Sequence, residues 1–148
     1  MGRVSVEEMA NRLRSLKTKI QPKVEQLILS SPEVKHEKKE EFLKGRRPDG
    51  TLIGSYSTTA YAKAKYALNK RAGFRNVDLF VTGRFVNQLI PYRASGNEYL
   101  FSNRLAYGND LIRKYGADIL GENQSLFNEI QRLYIAPDLI KFIKQQLA

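Results

Sequence analysis

The chain has 148 residues, of which 42% are hydrophobic and 27% charged, and this composition is typical of a globular protein with one core. It has no cysteine and one histidine, which excludes disulfides, thiolate zinc sites and multi-histidine metal sites. The formal net charge is +10, and residues 1–75 hold +9 of it (17 Lys and Arg against 8 Asp and Glu), so this half should attract polyanions or an acidic protein surface.

The first predicted element is an amphipathic helix that begins after Ser5. Ser5 and Glu8 match a capping box, and a stripe of apolar residues follows at spacings of three and four. The stripe consists of Val6, Met9, Leu13, Leu16, Ile20, Val24 and Leu27. Pro22 predicts a kink or a break in this helix. We expect a single domain spanning 1–148, with residues 1–30 as a protruding helical arm that packs on its own domain or on another subunit.

Two further helices are predicted in the basic half. Ser31 and Pro32 are typical of an N-cap and a first helical position, and the helix they begin should end at Gly45. The second helix is predicted over 58–72, with one side formed by Tyr61, Ala64, Lys65, Leu68 and Ala72. Tyrosines 56, 61 and 66 alternate with lysines, which is typical either of a single-stranded nucleic-acid groove or of packed tyrosines whose hydroxyls reach water.

The character of the sequence changes after residue 76. Two apolar, aromatic-rich runs flank the turn at Ser95-Gly96-Asn97, which predicts an antiparallel β-hairpin within about residues 77–102. Helices are then predicted from residue 103 or 104 to 114, over 124–134, and from Pro137 onward. The predicted fold class is therefore α+β, mainly helical with a small antiparallel sheet and an amphipathic N-terminal helical arm.

Motifs that carry chemistry are missing. There is no GxxxxGK[ST] phosphate loop, no GxGxxG and no Gly-x-Ser-x-Gly, and the carboxylates of the second half lie on separate elements. We therefore predict no enzyme, no catalytic or metal-binding residue and no cofactor. No apolar run is long enough for a membrane span and the first residues lack a secretory signal, so we expect a soluble protein made inside the cell, without a membrane partner.

Residues 41 to about 135 resemble small structural proteins of tailed bacteriophages, especially phages of the Bacteroidetes, including the crAss-like group. Three segments carry the resemblance: 50–57 before a lysine-containing helix, 77–85 with its Thr82-Gly83 turn, and 114–121 after the hairpin. The order of elements also resembles head–tail connector and tail-completion proteins. The resemblance implies a virion protein without catalytic residues, which forms a homo-oligomeric ring or adaptor at the head–tail interface or tail.

The predicted partners are copies of the chain in a ring, other virion proteins of the portal, connector or tail, and packaged DNA through nonspecific contacts. The alternative is a nucleic-acid-binding protein without sequence preference that uses the basic N-terminal half. The candidate polyanion-facing residues are Arg12, Arg14, Lys17, Lys19, Arg46, Arg47, Lys63, Lys65, Lys70 and Arg71. The candidate assembly contacts are Val6, Met9, Leu13, Leu16, Thr82 and Gly83, because a ring needs two different lateral patches.

Overall fold

The computed structural model describes residues 3–80, 83–103, 105 and 108–148. It is mainly helical with one two-stranded antiparallel sheet, which confirms the predicted α+β class. The strands are β1 (Leu89–Ser95) and β2 (Glu98–Asn103). The helices are α1 (Val6–Ser30), α2 (Pro32–Leu43), α3 (Thr59–Leu68), α4 (Arg84–Asn87), α5 (Gly108–Tyr115), α6 (Gln124–Ile130) and α7 (Ala136–Leu147), with a 3-10 turn at Ala117–Leu120 and a π-helical segment at Gln131–Ile135.

The chain divides into two compact units, one formed by residues up to Ser31 with Asn128–Ala148 and one formed by Pro32–Phe127. In the first unit α1 packs against α7. The two helices run antiparallel, because contacts move toward the start of α7 as α1 proceeds: Arg12 Nη1 donates to the Leu147 carbonyl at 3.1 Å, and Lys23 Nζ lies 5.2 Å from the ring centroid of Phe142. The amphipathic N-terminal helix therefore has a packing partner within its own chain.

The start of α1 is built as the sequence predicts. The Glu8 amide donates to Ser5 Oγ at 3.0 Å, which is the capping bond expected of Ser5. The helix then continues through Pro22 to Ser30, so of the predicted kink or break the break is wrong and the kink stays a prediction. Proline removes one backbone donor, and the packing of α1 along α7 offsets that loss.

The second unit is centred on α2 and the hairpin. Val34, Lys38 and Phe42 recur every four residues on α2 and are buried, and α2 packs on α4 and β1. The Phe42 and Phe85 rings lie 5.7 Å apart. The hairpin pairs Leu89 with Asn103, which places it inside the predicted 77–102 range apart from its last residue. Residues 84–87 form α4 rather than strand.

Gly45 ends the α2 region and cannot be replaced without moving the backbone. It has a φ of +67°, and a Cβ at this position would lie 2.6 Å from the Val77 carbonyl oxygen. The Ile53 amide donates to the Gly45 carbonyl at 3.0 Å, and the Val77 amide donates to the Gly54 carbonyl at 2.9 Å. These bonds hold the segments around residues 53 and 77 beside the end of α2, where α3 is anchored.

Candidate functional site

The buried face of α3 is polar. Ala62, Lys65 and Asn69, the last being the C-cap residue, are the buried positions along it, while the other side chains of the helix are exposed. A surface helix ordinarily buries its apolar stripe and exposes its charges. Polar contacts beneath α3 therefore decide which of its faces turns inward.

Those contacts converge on Asp78. Lys65 Nζ lies 2.6 Å from Asp78 Oδ1, and both side chains are almost fully buried. Asn69 Nδ2 donates to Asp78 Oδ2 at 2.8 Å and to the Leu43 carbonyl at 2.7 Å. Lys65 Nζ also donates to the Phe80 carbonyl. Buried charges persist only when they are paired and hydrogen-bonded, so this cluster fixes the rotation of α3.

Tyr56 closes the cluster from the side. Its hydroxyl donates to the Asp78 carbonyl and accepts from the Asp78 amide, both at 3.3 Å. Burial raises the pKa of the Tyr56 hydroxyl well above its ordinary value, so it stays protonated and can donate. The ring of Tyr61 stands edge-on to the Tyr56 ring at 4.9 Å, which carries the packing out to the surface.

The apolar side chains of α3 and of the turn after it are left in solvent. Leu68 is 55% exposed, Tyr61 52%, Phe74 47% and Tyr66 39%, and Ala64 is also exposed. Tyr66 and Phe74 stack edge-on at 6.0 Å. We call these five residues the α3 surface. Several exposed apolar side chains on one short helix and the turn after it are typical of interaction sites.

Positive charge surrounds the α3 surface. Residues 50–77 contain five Lys and Arg and no Asp or Glu. Lys65 is neutralised by Asp78, and Arg71 Nη1 lies 2.9 Å from Glu40 Oε2. Within the described residues no carboxylate pairs with the other three, which are Lys63, Lys70 and Arg75. Lys70 Nζ lies 5.8 Å from the Tyr66 ring, so one of these charges borders the apolar surface directly.

The structure places the ten predicted polyanion-facing residues in different settings. Lys65 is a correction: it is buried and paired, so its ammonium does not face solvent. Lys17, Lys63 and Lys70 are exposed without a carboxylate partner in the described chain. The remaining six make internal contacts: Arg12 with Glu8 and the last carbonyls, Arg14 with Asn11, Lys19 with Gln146, Arg46 with the Gly50 carbonyl, Arg47 with Asp118, and Arg71 with Glu40.

The predicted assembly residues also differ in their exposure. Val6 is 89% exposed and Leu13 50%, whereas Leu16 is buried and Met9 is half-buried. Gly83 is buried with a φ of +81° before α4, so it serves the local turn. Thr82 lies outside the described residues. On α7, Ile140 is exposed and belongs to an open, mainly apolar groove with Pro137, Lys141, Lys144, Gln145 and Ala148.

A second buried lysine lies on α2, which sequence analysis missed because that helix is dense in charge. Lys38 Nζ lies 2.6 Å from Glu41 Oε1, donates to the Gly121 carbonyl at 2.6 Å and sits 4.7 Å from the Phe42 ring. Burial lowers the pKa of Lys38 and raises that of Glu41. The spacing of Val34, Lys38 and Phe42 was the available signal.

Glu122 adds a third charge to the Lys38 cluster. It borders a cavity of about 180 Å³ that is also lined by Tyr99, Gln124 and Phe127, and its Oε1 is buried without a hydrogen-bond partner in the described structure. Burial raises the pKa of Glu122 to about 7, although the Lys38 ammonium opposes the shift. Glu122 is therefore partly protonated at neutral pH.

The raised pKa of Glu122 predicts a pH-dependent stability. Because the folded pKa exceeds the ordinary 4.5, the folded state holds the proton more tightly between pH 4.5 and 7, and stability falls as pH rises through 7. We expect Glu122→Gln to raise the free energy of unfolding by about 1–2 kcal/mol at pH 8, after allowance for solvent screening, and to change it little at pH 5. Urea unfolding at both pH values measures this, with exposed Glu98→Gln as the control. An equal effect at both pH values would contradict it.

No protein family, curated protein or solved structure matches the chain. Within the described residues, no three His, Asp or Glu side chains come together as a metal site. None of the described helices has both the length and the apolar character that a membrane crossing requires. The most prominent features of the described surface are its exposed apolar side chains, and such surfaces are typical of sites that bind other macromolecules.

Proposed function

We propose that this protein is a structural component of a tailed-phage virion, which forms a homo-oligomeric ring or adaptor at the head–tail interface or tail. It binds copies of itself and neighbouring portal, connector or tail proteins. Two lines support the proposal: the resemblance of residues 41 to about 135 to phage structural proteins, and two unlike apolar patches on the unit built from α1 and α7. The pair of unlike apolar patches is the main observation in support of the proposal.

The two patches carry apolar residues beside opposite charges. Val6 projects from the first turn of α1 beside Glu7, and both are exposed. The groove on α7 places Ile140 beside Lys141 and Lys144. A head-to-tail contact joins two different patches, and rotation then closes the ring. In the proposed contact, the start of α1 enters the α7 groove of the next subunit, with Glu7 facing the two lysines.

A mixing experiment tests this contact. Val6→Lys and Ile140→Lys each spoil one patch, and both positions are exposed enough for the fold to tolerate the change. We expect the wild type to form oligomers in native mass spectrometry and each variant to be monomeric. A mixture of the two variants should form heterodimers, because one intact Val6–Ile140 pair remains between them. Leu133→Lys, which changes an exposed apolar residue outside both patches, is the control and should assemble normally.

Three results would contradict the proposal. The first is a wild type that stays monomeric at every concentration, with or without portal and tail proteins. The second is a mixture of the variants that contains no heterodimer. The third is self-association of the Ile140→Lys variant alone, which would indicate a contact between like patches and hence a two-fold dimer.

The alternative, nucleic-acid binding without sequence preference, is supported by the exposed rings of Tyr61 and Tyr66 beside Lys63 and Lys70. Bases stack on such rings while lysines contact phosphates. With three unpaired cations at the α3 surface, the logarithm of the affinity for single-stranded DNA should fall against the logarithm of salt with a slope of about −2. Binding of single-stranded DNA that shows this slope, has no sequence preference and depends on Tyr61 and Tyr66 would favour this alternative as the main function.

A further inference from the structure

We infer that the α3 surface is a docking site for an acidic amphipathic helix of another virion protein. The inference rests on the proposed function, because it names the partner chemistry of an adaptor whose self-contacts lie on α1 and α7. It starts from an inversion: Lys65 and Asn69 at the end of α3 are buried against Asp78, whereas Tyr61, Tyr66 and Leu68 are exposed.

The inversion is built into the fold. A poorly packed helix could expose apolar side chains without any contact that fixes its orientation. The orientation of α3, in contrast, is fixed by a buried ion pair and two hydrogen bonds from Asn69. Turning Tyr61 and Leu68 inward would remove Lys65 from Asp78 and leave the Asp78 carboxylate buried without an opposite charge. The helix therefore presents its apolar side to solvent in the isolated chain.

Helical spacing shapes one flank of the surface. Tyr61, Ala64 and Leu68 are spaced three and four residues apart, so they form one stripe along α3. Tyr66 and Phe74 lie on the other flank, stacked edge-on. A stripe of aliphatic and aromatic side chains fits the apolar face of a partner helix, because the apolar residues of such a helix recur at the same spacing.

The positive charge around the α3 surface favours a negatively charged partner. The segment 50–77 has no carboxylate, and Lys63, Lys70 and Arg75 remain unpaired by carboxylates in the described chain. A second copy of the α3 surface would be repelled, whereas Glu and Asp beside the apolar face of a partner helix would meet these cations. An acidic amphipathic helix satisfies both the stripe and the charges.

A nucleic acid fits this surface less well than a helix does. Bases bind by stacking on ring faces, but the Tyr66 ring is already approached by Phe74 and Lys70, and Tyr61 is approached by Tyr56. Leu68 is the most exposed of the large apolar residues on the α3 surface. Its side chain has no ring on which a base could stack, but it can pack against an aliphatic side chain. The apolar stripe therefore favours a protein partner.

The test uses the full chain and a labelled synthetic amphipathic helix with leucine on one face and glutamate on the other. We expect fluorescence anisotropy to show binding that weakens with salt, and a peptide with glutamine in place of glutamate to bind more weakly. Leu68→Ser should weaken binding of the acidic peptide at least about tenfold, and Lys63→Gln with Lys70→Gln should weaken it and flatten its salt dependence. Leu133→Ser and Lys17→Gln are exposed controls on the other unit, outside both proposed self-contact patches, and should bind normally.

Three outcomes would overturn the inference: no binding of the acidic peptide, equal binding of the glutamine peptide, or tighter binding of oligo-dT that depends on Tyr61 and Tyr66. The last of these would assign the surface to nucleic acid. Native mass spectrometry of Leu68→Ser separates this failure from that of the proposed function. If the peptide does not bind but the wild type and Leu68→Ser still oligomerise, the adaptor proposal stands and only the docking inference falls.

Discussion

Replacing Lys65 by methionine is expected to lower the free energy of unfolding by about 3–5 kcal/mol at pH 7. Methionine fills the space of the lysine stem but removes the ammonium that lies 2.6 Å from Asp78 Oδ1. Among the described residues, Asp78, itself 4% exposed, then keeps two neutral hydrogen-bond donors, Asn69 Nδ2 and the Phe80 amide. An uncompensated buried carboxylate is costly because burial takes away its hydration.

Urea unfolding followed by circular dichroism measures the Lys65→Met loss. Lys63→Met, two residues earlier on α3 and exposed, is the matched control and should change stability by no more than about 0.5 kcal/mol. The double variant Lys65→Met/Asp78→Leu should recover much of the loss, since a buried pair can be replaced by apolar residues at little cost. A Lys65→Met loss below about 1 kcal/mol would show that Asp78 is solvated and that the pair does not anchor α3.

The same substitution connects stability to the α3 surface. If the Lys65–Asp78 pair selects the inward face of α3, its loss permits rotation of the helix toward burial of Tyr61 and Leu68. The acidic peptide should then bind Lys65→Met more weakly under conditions in which the variant is still folded. The buried pair thus gives conformational specificity in addition to any net stability.

In this chain, sequence analysis predicts local structure well and long-range contact partners poorly. The cap at Ser5, the start of α2 at Pro32 and the hairpin turn depend on neighbouring residues, so the sequence predicts them directly. Periodicity grouped the stripe Tyr61–Ala64–Leu68 with Lys65 and Ala72, which are buried, because it gives only which residues share a face. Its exposure is decided by Asp78, which lies outside any helical window that includes Lys65.

The end of α3 shows the same limit. The apolar and lysine pattern predicts a helix to residue 72, whereas α3 ends at Leu68. Asn69 leaves helical geometry, with a φ of −148°, and its side chain donates to Asp78 and to the Leu43 carbonyl. Asparagine competes with helix formation by such bonds, and here the acceptors come from residues 26 and 9 positions away.

The sequence gives the number of basic residues, but it does not predict which partner each one has in the folded chain. Arg47 Nη1 contacts both oxygens of Asp118 at 2.9 and 3.0 Å, across 71 residues of sequence, and Lys19 contacts Gln146 across 127. Composition gives the field of the whole chain, whereas the cations free to meet a partner depend on tertiary contacts. This is why a set of ten candidates narrows to a few exposed lysines.

Replacing Lys38 by methionine is the other substitution with a large expected effect, and its size should depend on pH. Lys38 is the cation between two buried carboxyls, Glu41 at 2.6 Å and Glu122, and its ammonium lowers the pKa of both. Without it, both carboxylates would be buried without an opposite charge. We expect a loss of about 3–5 kcal/mol in the free energy of unfolding at pH 8.

The loss on removing Lys38 should shrink toward pH 5. Burial already raises the pKa of Glu41 and Glu122, and removal of the cation raises both further, so each carboxyl binds a proton in the folded state as pH falls. Protonation removes the buried charge, and the variant regains stability through the window below these raised pKa values. Unfolding curves of wild type and Lys38→Met at pH 5, 6.5 and 8 measure this, with exposed Lys35→Met as the control. A loss that is the same at all three pH values would mean that it comes from packing on Phe42 and Phe101 rather than from charge, because cavity and contact costs do not titrate.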